Sequence, residues 1–184
     1  MKSPSSTIRL GIAGRMRVGK TTAARYLERR YGFYVCAFAD QIKSIARVVG
    51  WNGEKDARGR KLLQDIGTVV RDYNERFWID SLLKSLPADR SVAVDDMRML
   101  LEHRILTEEA GFRTVLILRD SSLILDAPED TRNHVTEREV DLIEPWRVIE
   151  NNGTFEELYE KLDRLLDEWE EGPAPRSTPS SRID

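Results

Sequence analysis

One eight-residue segment constrains the fold of this chain more than any other part of its sequence. Residues 14–21 are GRMRVGKT, which matches G-x-x-x-x-G-K-[ST] at every specified position. The segment stands between a short apolar run, residues 8–13, and a stretch with helical periodicity that begins at Lys20. A strand, a glycine-rich turn and a helix in this order indicate a phosphate-binding loop in an α/β fold.

The residue types of the loop fit the binding of a nucleoside triphosphate. Its glycines let backbone N–H groups turn toward a phosphate, and the N-terminus of the following helix adds positive partial charge. Lys20 is expected to reach the β and γ phosphate oxygens, and Thr21 to bind Mg²⁺. The alternative is a glycine-rich turn with a solvent-facing lysine. The residues predicted to contact ATP are Gly14, Arg15, Arg17, Val18, Gly19, Lys20, Thr21 and Thr22.

Composition limits the remaining classes. With 184 residues the chain is long enough for one domain, expected over residues 1–171, and the tail 172–184, rich in Pro and Ser, is expected to be disordered. The single cysteine, Cys36, supplies neither a disulfide nor a zinc cluster. No apolar stretch approaches the roughly 18 residues that span a bilayer. A net charge of -3 argues against DNA binding by charge alone. These features predict a cytoplasmic protein without a membrane partner.

Short apolar segments alternate with segments of helical periodicity along the chain. Strands are predicted at 8–13, 33–38, 91–94, 115–118 and 148–149, and helices at 20–30, 39–49, 62–70, 77–86, 99–110 and 155–169. Thr154 is the expected N-cap of the last helix. This alternation predicts an α/β fold with three layers, α/β/α, around a mainly parallel five-stranded sheet.

Charged residues follow the predicted strands, at the sheet edge where open α/β folds bind ligands. Asp40 follows the second strand, Asp95, Asp96 and Arg98 the third, and Arg119 the fourth. The sequence VAVDD suits a magnesium-binding carboxylate, assigned here to Asp96 together with Thr21, although which of the two aspartates faces the metal stays open. Ordinary solvated strand ends are the alternative. Because no N-K-x-D stretch for guanine recognition is present, a compact kinase is favoured over a GTPase.

Five blocks of sequence resemble the deoxynucleoside monophosphate kinases of tailed bacteriophages, a branch of the P-loop nucleotide monophosphate kinases. Animal phosphomevalonate kinases share the D-x-R and I-E-N-x-G elements, and phage kinases of 5-hydroxymethyluracil in DNA are similar. The blocks are the phosphate-binding loop, residues 38–43 (FADQIK), 63–68 (LQDIGT) with Arg71 and Trp78, 96–98 (DMR), and 134–137 (HVTE) followed by 148–153 (VIENNG).

The resemblance implies a set of acceptor and catalytic residues. The segment that receives the acceptor nucleotide would include Gln64, Gly67, Thr68 and Trp78, although Trp78 taken without the family is better suited to a core. Its phosphate would meet Lys43 and Arg71, and Arg98 would clamp the transferring group. The predicted substrate-binding residues are thus Asp40, Lys43, Gln64, Gly67, Thr68, Arg71, Trp78 and Arg98, and the predicted catalytic residues are Lys20, Asp40, Asp96, Arg98 and Arg132.

The chain also departs from the family. The best-known phage members carry Asp where this chain has Thr21, and their region corresponding to residues 50–61 is longer. The shorter region leaves residues 119–133, with Arg132, as the candidate lid, and His134 is either a turn residue or a catalytic one.

Three functions therefore compete. The leading one is the ATP- and Mg²⁺-dependent phosphorylation of a free deoxynucleoside monophosphate, for which no general base is needed. The second transfers phosphate to the hydroxyl of 5-hydroxymethyluracil in DNA, with Asp40 or Asp96 as base. The third is a nucleotide-binding regulator without activity. Base specificity and oligomeric state, including a homodimer, stay open.

Overall fold

A computed structural model describes residues 7–124 and 139–171 of the chain. Within these residues five parallel strands form one sheet in the order β2-β3-β1-β4-β5. The strands are β1 (Arg9–Ala13), β2 (Tyr34–Cys36), β3 (Val92–Met97), β4 (Arg113–Leu118) and β5 (Arg147–Glu150). Because every pair is parallel, all strands end at one edge, and the loops that follow them meet there.

Six α-helices connect or flank the strands in the described part of the chain. They are α1 (Lys20–Tyr31), α2 (Phe38–Val48), α3 (Ala57–Tyr73), α4 (Phe77–Ser85), α5 (Leu100–Glu108) and α6 (Phe155–Glu171). Single 3₁₀ turns lie at Ser121–Leu123 and Val140–Leu142. Among the helices described, none has the length and apolar character needed to cross a membrane.

The core lies on both faces of the sheet, which makes the molecule three-layered. On one face the apolar side chains of α1 and α6, including Leu27 and Leu162, pack against β1 and β4. On the other face α4 and α5 pack through Trp78, Leu82 and Leu106. Strands covered on both sides consist of near-continuous apolar residues, which is why the sequence shows runs rather than alternation. The predicted three-layer α/β/α fold is confirmed.

Two predicted strands have different ends in the structure. The predicted strand 33–38 is shorter, since Phe38 already begins α2, whose first turn is held by a carboxylate from β3. The predicted strand 91–94 extends to Met97 and carries Asp95 and Asp96 within the sheet. The third strand therefore delivers its acidic residues directly to the ligand-binding edge.

Two helix starts are fixed by side-chain caps. The Asp56 carboxylate accepts the Gly59 N–H at 2.6 Å, so that α3 begins inside the predicted loop. The Thr154 hydroxyl accepts the Glu157 N–H at 3.3 Å, which confirms Thr154 as an N-cap. The predicted tail 172–184, Arg132 of the predicted lid, and His134 lie outside the described residues.

Candidate active site

The phosphate-binding loop has a backbone that only glycine can follow at two positions. Gly14 has φ +147°, and a Cβ there would lie 2.5 Å from the Ile117 carbonyl oxygen. Gly19 has φ +108°, and a Cβ there would lie 2.5 Å from the Asn151 side-chain nitrogen. Both the left-handed conformation and the close neighbours exclude larger residues. The loop is thus packed tightly between the ends of β4 and β5.

Lys20 is buried at the start of α1, and its side chain folds back across the loop. The Nζ donates hydrogen bonds of 2.6 Å to the carbonyl oxygens of Gly14 and Arg15. A buried ammonium requires such partners, because burial without them would cost several kcal/mol. The loop itself therefore holds the charge of Lys20 at the N-terminus of α1, where a helix favours phosphate.

The loop forms one wall of a cleft of about 500 Å³. The cleft brings together residues from the loop, α1, the start of α2, the loop before α3, and the end of β3. Its lining residues are Met16, Arg17, Gly19, Lys20, Thr21, Thr22, Ala37, Ala39, Lys43, Lys55, Asp95, Asp96 and Arg98. Of the predicted site residues, seven that carry polar side chains meet here: Arg17, Lys20, Thr21, Thr22, Lys43, Asp96 and Arg98.

Asp95 and Asp96 have different surroundings, and these bear on which of the two faces a metal. The two Asp96 carboxylate oxygens accept the N–H groups of Phe38 and Ala39, each at 2.9 Å, at the N-terminus of α2. Burial raises the pKa of Asp96 to about 6, although these two hydrogen bonds oppose the shift. Asp96 is thus engaged in holding α2 to β3, which favours Asp95 over Asp96 as the Mg²⁺ ligand.

Asp95 is the carboxylate that faces the phosphate-binding loop. Burial raises its pKa, whereas a hydrogen bond with Thr21 and the charge of Lys20 lower it. Carboxylate and hydroxyl oxygens are the hard ligands that Mg²⁺ takes from proteins, with water and phosphate oxygens completing its shell. Asp95 and Thr21 therefore fit a magnesium ion beside the loop.

Arg98 reaches the cleft from the end of β3, and a residue that sequence reasoning missed holds its backbone. The Oε2 of Glu102, a buried residue of α5, accepts the N–H groups of Arg98 at 2.9 Å and Met99 at 3.0 Å. Burial raises the pKa of Glu102 to about 7. The one sequence signal is a Glu three residues after Met99, and it lacks the Ser or Thr that normally marks such a cap.

The predicted acceptor segment packs into the fold instead of lining the cleft. Trp78 is 2% exposed, and its Nε1 donates to the Gly67 carbonyl oxygen at 3.1 Å. A Cβ on Gly67 would lie 3.3 Å from Ile42, so this glycine allows α3 to approach α2. Gln64 and Thr68 are exposed on α3 and are not among the described residues that line the cleft. The burial of Trp78 thus contradicts its predicted role in receiving the acceptor nucleotide and agrees with the core position expected for it without the family.

Other predicted residues have structural partners. Asp40 is exposed; its carboxylate accepts the Ala37 N–H at 3.1 Å and the Lys43 ammonium at 2.8 Å. The geometry thus gives Asp40 a helix-capping role. Arg15 pairs in bidentate fashion with Asp141, within the second 3₁₀ turn. Arg71 is half-buried on α3, where its charge lowers the pKa of Glu102.

Two further residues of the site escaped the sequence predictions. Asn151 is buried after β5, and its Nδ2 donates to the Val18 carbonyl oxygen at 2.8 Å. This hydrogen bond holds the phosphate-binding loop against the end of β5. This contact gives the I-E-N-x-G block a structural reason. Lys55 lines the cleft from the loop before α3, where the sequence shows only a polar segment.

The sequence is similar to two viral proteins that are named as deoxynucleotide monophosphate kinases. No protein-family model matches the chain. A protein of Acanthamoeba polyphaga mimivirus named deoxynucleotide monophosphate kinase is 29% identical over 192 residues, covering 86% of this chain and 95% of the relative. The deoxynucleotide monophosphate kinase of Escherichia phage RB69 is 29% identical over 114 residues, covering 58% of this chain but only 44% of that protein. The predicted resemblance is confirmed.

Solved structures with the same fold are also kinases. The shikimate kinase of Aquifex aeolicus superposes with a TM-score of 0.53 at 16% identity, covering 90% of this chain and 100% of that one. The thymidylate kinase of Candida albicans gives a TM-score of 0.52 at 13% identity, covering 88% and 91%. At these identities the likeness establishes the P-loop kinase fold. Together with the named relatives, it supports the prediction of a phosphotransferase.

Proposed function

We propose that this protein transfers the γ-phosphoryl group of ATP to the phosphate of a deoxynucleoside monophosphate and so forms the diphosphate. The observation that carries the proposal is that one cleft gathers cationic side chains from separate elements. Lys20 comes from the phosphate-binding loop, Lys43 from α2, Lys55 from the loop before α3, and Arg98 from the end of β3. Transfer between two phosphates requires positive charge on both sides of the reacting group. The names of the two viral relatives support this acceptor.

The residues of the chain divide the work by position. Lys20 exchanges its two carbonyl partners for phosphate oxygens of ATP, and the N–H groups of the loop bind the same phosphates. Thr21 and Asp95 would hold Mg²⁺, which when bound neutralises phosphate charge. Arg98 lies where it can stabilise charge on the transferred group, because Glu102 fixes its backbone. The acceptor phosphate is largely ionised at neutral pH, so no side chain has to remove a proton.

The proposal is tested by the acceptor that takes label from γ-labelled ATP. We expect label in one or more of the four common deoxynucleoside monophosphates, and none in duplex DNA that contains 5-hydroxymethyluracil. Lys20→Met should abolish the transfer, whereas Lys84→Met, on the exposed end of α4, should retain it. Label in DNA alone would establish the second function instead, and label in no acceptor would overturn the proposal.

A further inference from the structure

A second cavity, of about 820 Å³, lies between the end of α2 and the start of α3. Trp51, Asn52 and Asp56 line it from the connecting loop, and Arg58 and Leu62 line it from α3. Lys55 belongs to the same connecting loop but lines the phosphate cleft. The loop 51–56 therefore borders the phosphate cleft with one residue and the second cavity with its neighbours.

The loop 51–56 is held in place by its own hydrogen bonds. The Trp51 backbone N–H donates to the Ala46 carbonyl oxygen at 2.9 Å, and the Trp51 indole N–H donates to the Glu54 carbonyl oxygen at 2.9 Å. The Glu54 N–H donates to the Asn52 side chain at 3.0 Å. Gly59 lets the start of α3 pack closely against this loop, since a Cβ there would lie 2.2 Å from the Glu54 carbonyl oxygen. A loop ordered before binding loses little entropy when a ligand arrives.

The chemistry of the cavity suits a nucleoside. Its volume falls within the range of about 300–1,000 Å³ that is usual for small-molecule sites. The indole of Trp51 and the side chain of Leu62 offer apolar surface to a base, and amide, carboxylate and guanidinium groups stand beside them. Arg47 lies over the Trp51 ring at 5.8 Å from its centroid, which fixes the ring further. Trp78, in contrast, is buried and cannot meet a base.

We propose that the acceptor mononucleotide binds along the loop 51–56, with its phosphate on Lys55 in the phosphate cleft and its nucleoside against Trp51 in the second cavity. This assignment rests on the proposed function and adds the position of the acceptor.

Two variants separate the two halves of the acceptor site. We expect Lys55→Met to raise the KM for the deoxynucleoside monophosphate about 10-fold to 100-fold, the usual range for a lost hydrogen bond to a charged group. The same variant should leave inhibition by the unphosphorylated deoxynucleoside unchanged. Trp51→Leu should weaken both the nucleotide and the nucleoside by about 5-fold or more, the range for lost stacking on an aromatic ring. Calorimetry should find the ATP affinity of both variants within about 2-fold of wild type.

Matched controls and a second measurement keep the test decisive. Lys84→Met and Tyr73→Leu remove an exposed lysine and a 94% exposed tyrosine outside both cavities, and should not change either constant. If Trp51→Leu does not fold, fluorescence gives a second measurement. Addition of the deoxynucleoside monophosphate should quench the fluorescence of the wild-type protein, which has four tryptophans, and Trp51→Phe should lose most of this quenching.

The outcomes distinguish this assignment from the proposed function. Unchanged KM values in an active Lys55→Met variant and a folded, active Trp51→Leu variant would place the acceptor elsewhere and overturn the assignment alone. Fluorescence that does not respond to an acceptor that the enzyme phosphorylates would do the same. A wild-type protein that phosphorylates no mononucleotide would overturn the proposed function, and this assignment with it.

Discussion

At the scale of single residues, Glu102 is a buried carboxyl group whose protonation state affects the stability of the fold. It is buried in α5, its Oε2 accepts the backbone N–H groups of Arg98 and Met99, and burial raises its pKa to about 7. The negative charge of Asp96 raises this pKa further, whereas the two backbone hydrogen bonds and the charge of Arg71 lower it. Glu102 is therefore held as a carboxylate at an energetic cost when the pH is above neutral.

This cost predicts how stability depends on pH. Between the ordinary value of 4.5 and about 7, the folded state keeps a proton on Glu102 that the unfolded state has released. The free energy of unfolding therefore falls as the pH rises through this window, by about 3 kcal/mol if each pKa unit is worth about 1.4 kcal/mol. Glu102→Gln keeps an oxygen for both N–H groups but does not titrate.

Urea unfolding at pH 5 and pH 8 measures how much the free energy of unfolding falls between these two pH values. We expect the loss of stability between these two pH values to be clearly smaller in Glu102→Gln than in the wild-type protein. Glu108→Gln, an exposed substitution on the same helix, should follow the wild type. Equal slopes for Glu102→Gln and wild type would show that Glu102 titrates as an ordinary carboxyl group.

At the scale of elements, the packing of α3 against α2 and α4 determines what Trp78 can do. Its indole N–H bonds to the carbonyl oxygen of Gly67, eleven residues earlier in the chain, and its ring meets Phe77 edge-on with 5.0 Å between centroids. Such a side chain joins two helices and stabilises their contact. It offers no surface to a ligand.

Trp78→Phe tests this structural role. The substitution keeps an aromatic ring but removes the hydrogen bond and leaves the Gly67 carbonyl oxygen buried, so we expect a loss of about 1–3 kcal/mol in the free energy of unfolding. The KM for the acceptor should stay within about 2-fold of wild type, in contrast to Trp51→Leu. Steady-state kinetics beside urea unfolding would decide. A large rise in KM with unchanged stability would return Trp78 to the substrate site.

The helices and strands could be predicted to a large extent because apolar periodicity records which face each element buries. The end of the second strand could not be predicted in the same way. Phe38 belongs to an apolar run that suits a strand, but the Asp96 carboxylate, 58 residues later, accepts its N–H and begins a helix there. The local sequence around Phe38 cannot indicate a capping residue that lies on another strand.

The site residues that belong to a sequence motif of known geometry could be predicted, whereas those that depend on tertiary packing could not. The phosphate-binding loop specifies Gly14, Gly19 and Lys20 directly. Lys55 comes from a polar loop whose position depends on the packing of α2 and α3, so no spacing could indicate it. The choice of Asp95 over Asp96 depends on which side of β3 faces the loop, and this follows from the position of the strand in the sheet.

At the scale of the whole molecule, strand order assembles the catalytic edge. Because β3 pairs with β1 in parallel, the acidic end of β3 lies beside the phosphate-binding loop that leaves β1. Because β5 lies beyond β4, Asn151 reaches back to the same loop and bonds to Val18. Residues separated by more than a hundred positions thus meet at the proposed phosphate site.

Calorimetric titration of the full chain with ATP, in the presence and absence of Mg²⁺, tests the central claim most directly. We expect ATP to bind more tightly with Mg²⁺, Lys20→Met to weaken binding about 10-fold or more, and Asp95→Asn to lose most of the difference that Mg²⁺ makes. Asp89→Asn, an exposed control on the loop before β3, should bind as wild type does. A folded wild-type protein that shows no Mg²⁺-dependent affinity for ATP would contradict the claim that this loop and Asp95 form a nucleotide site.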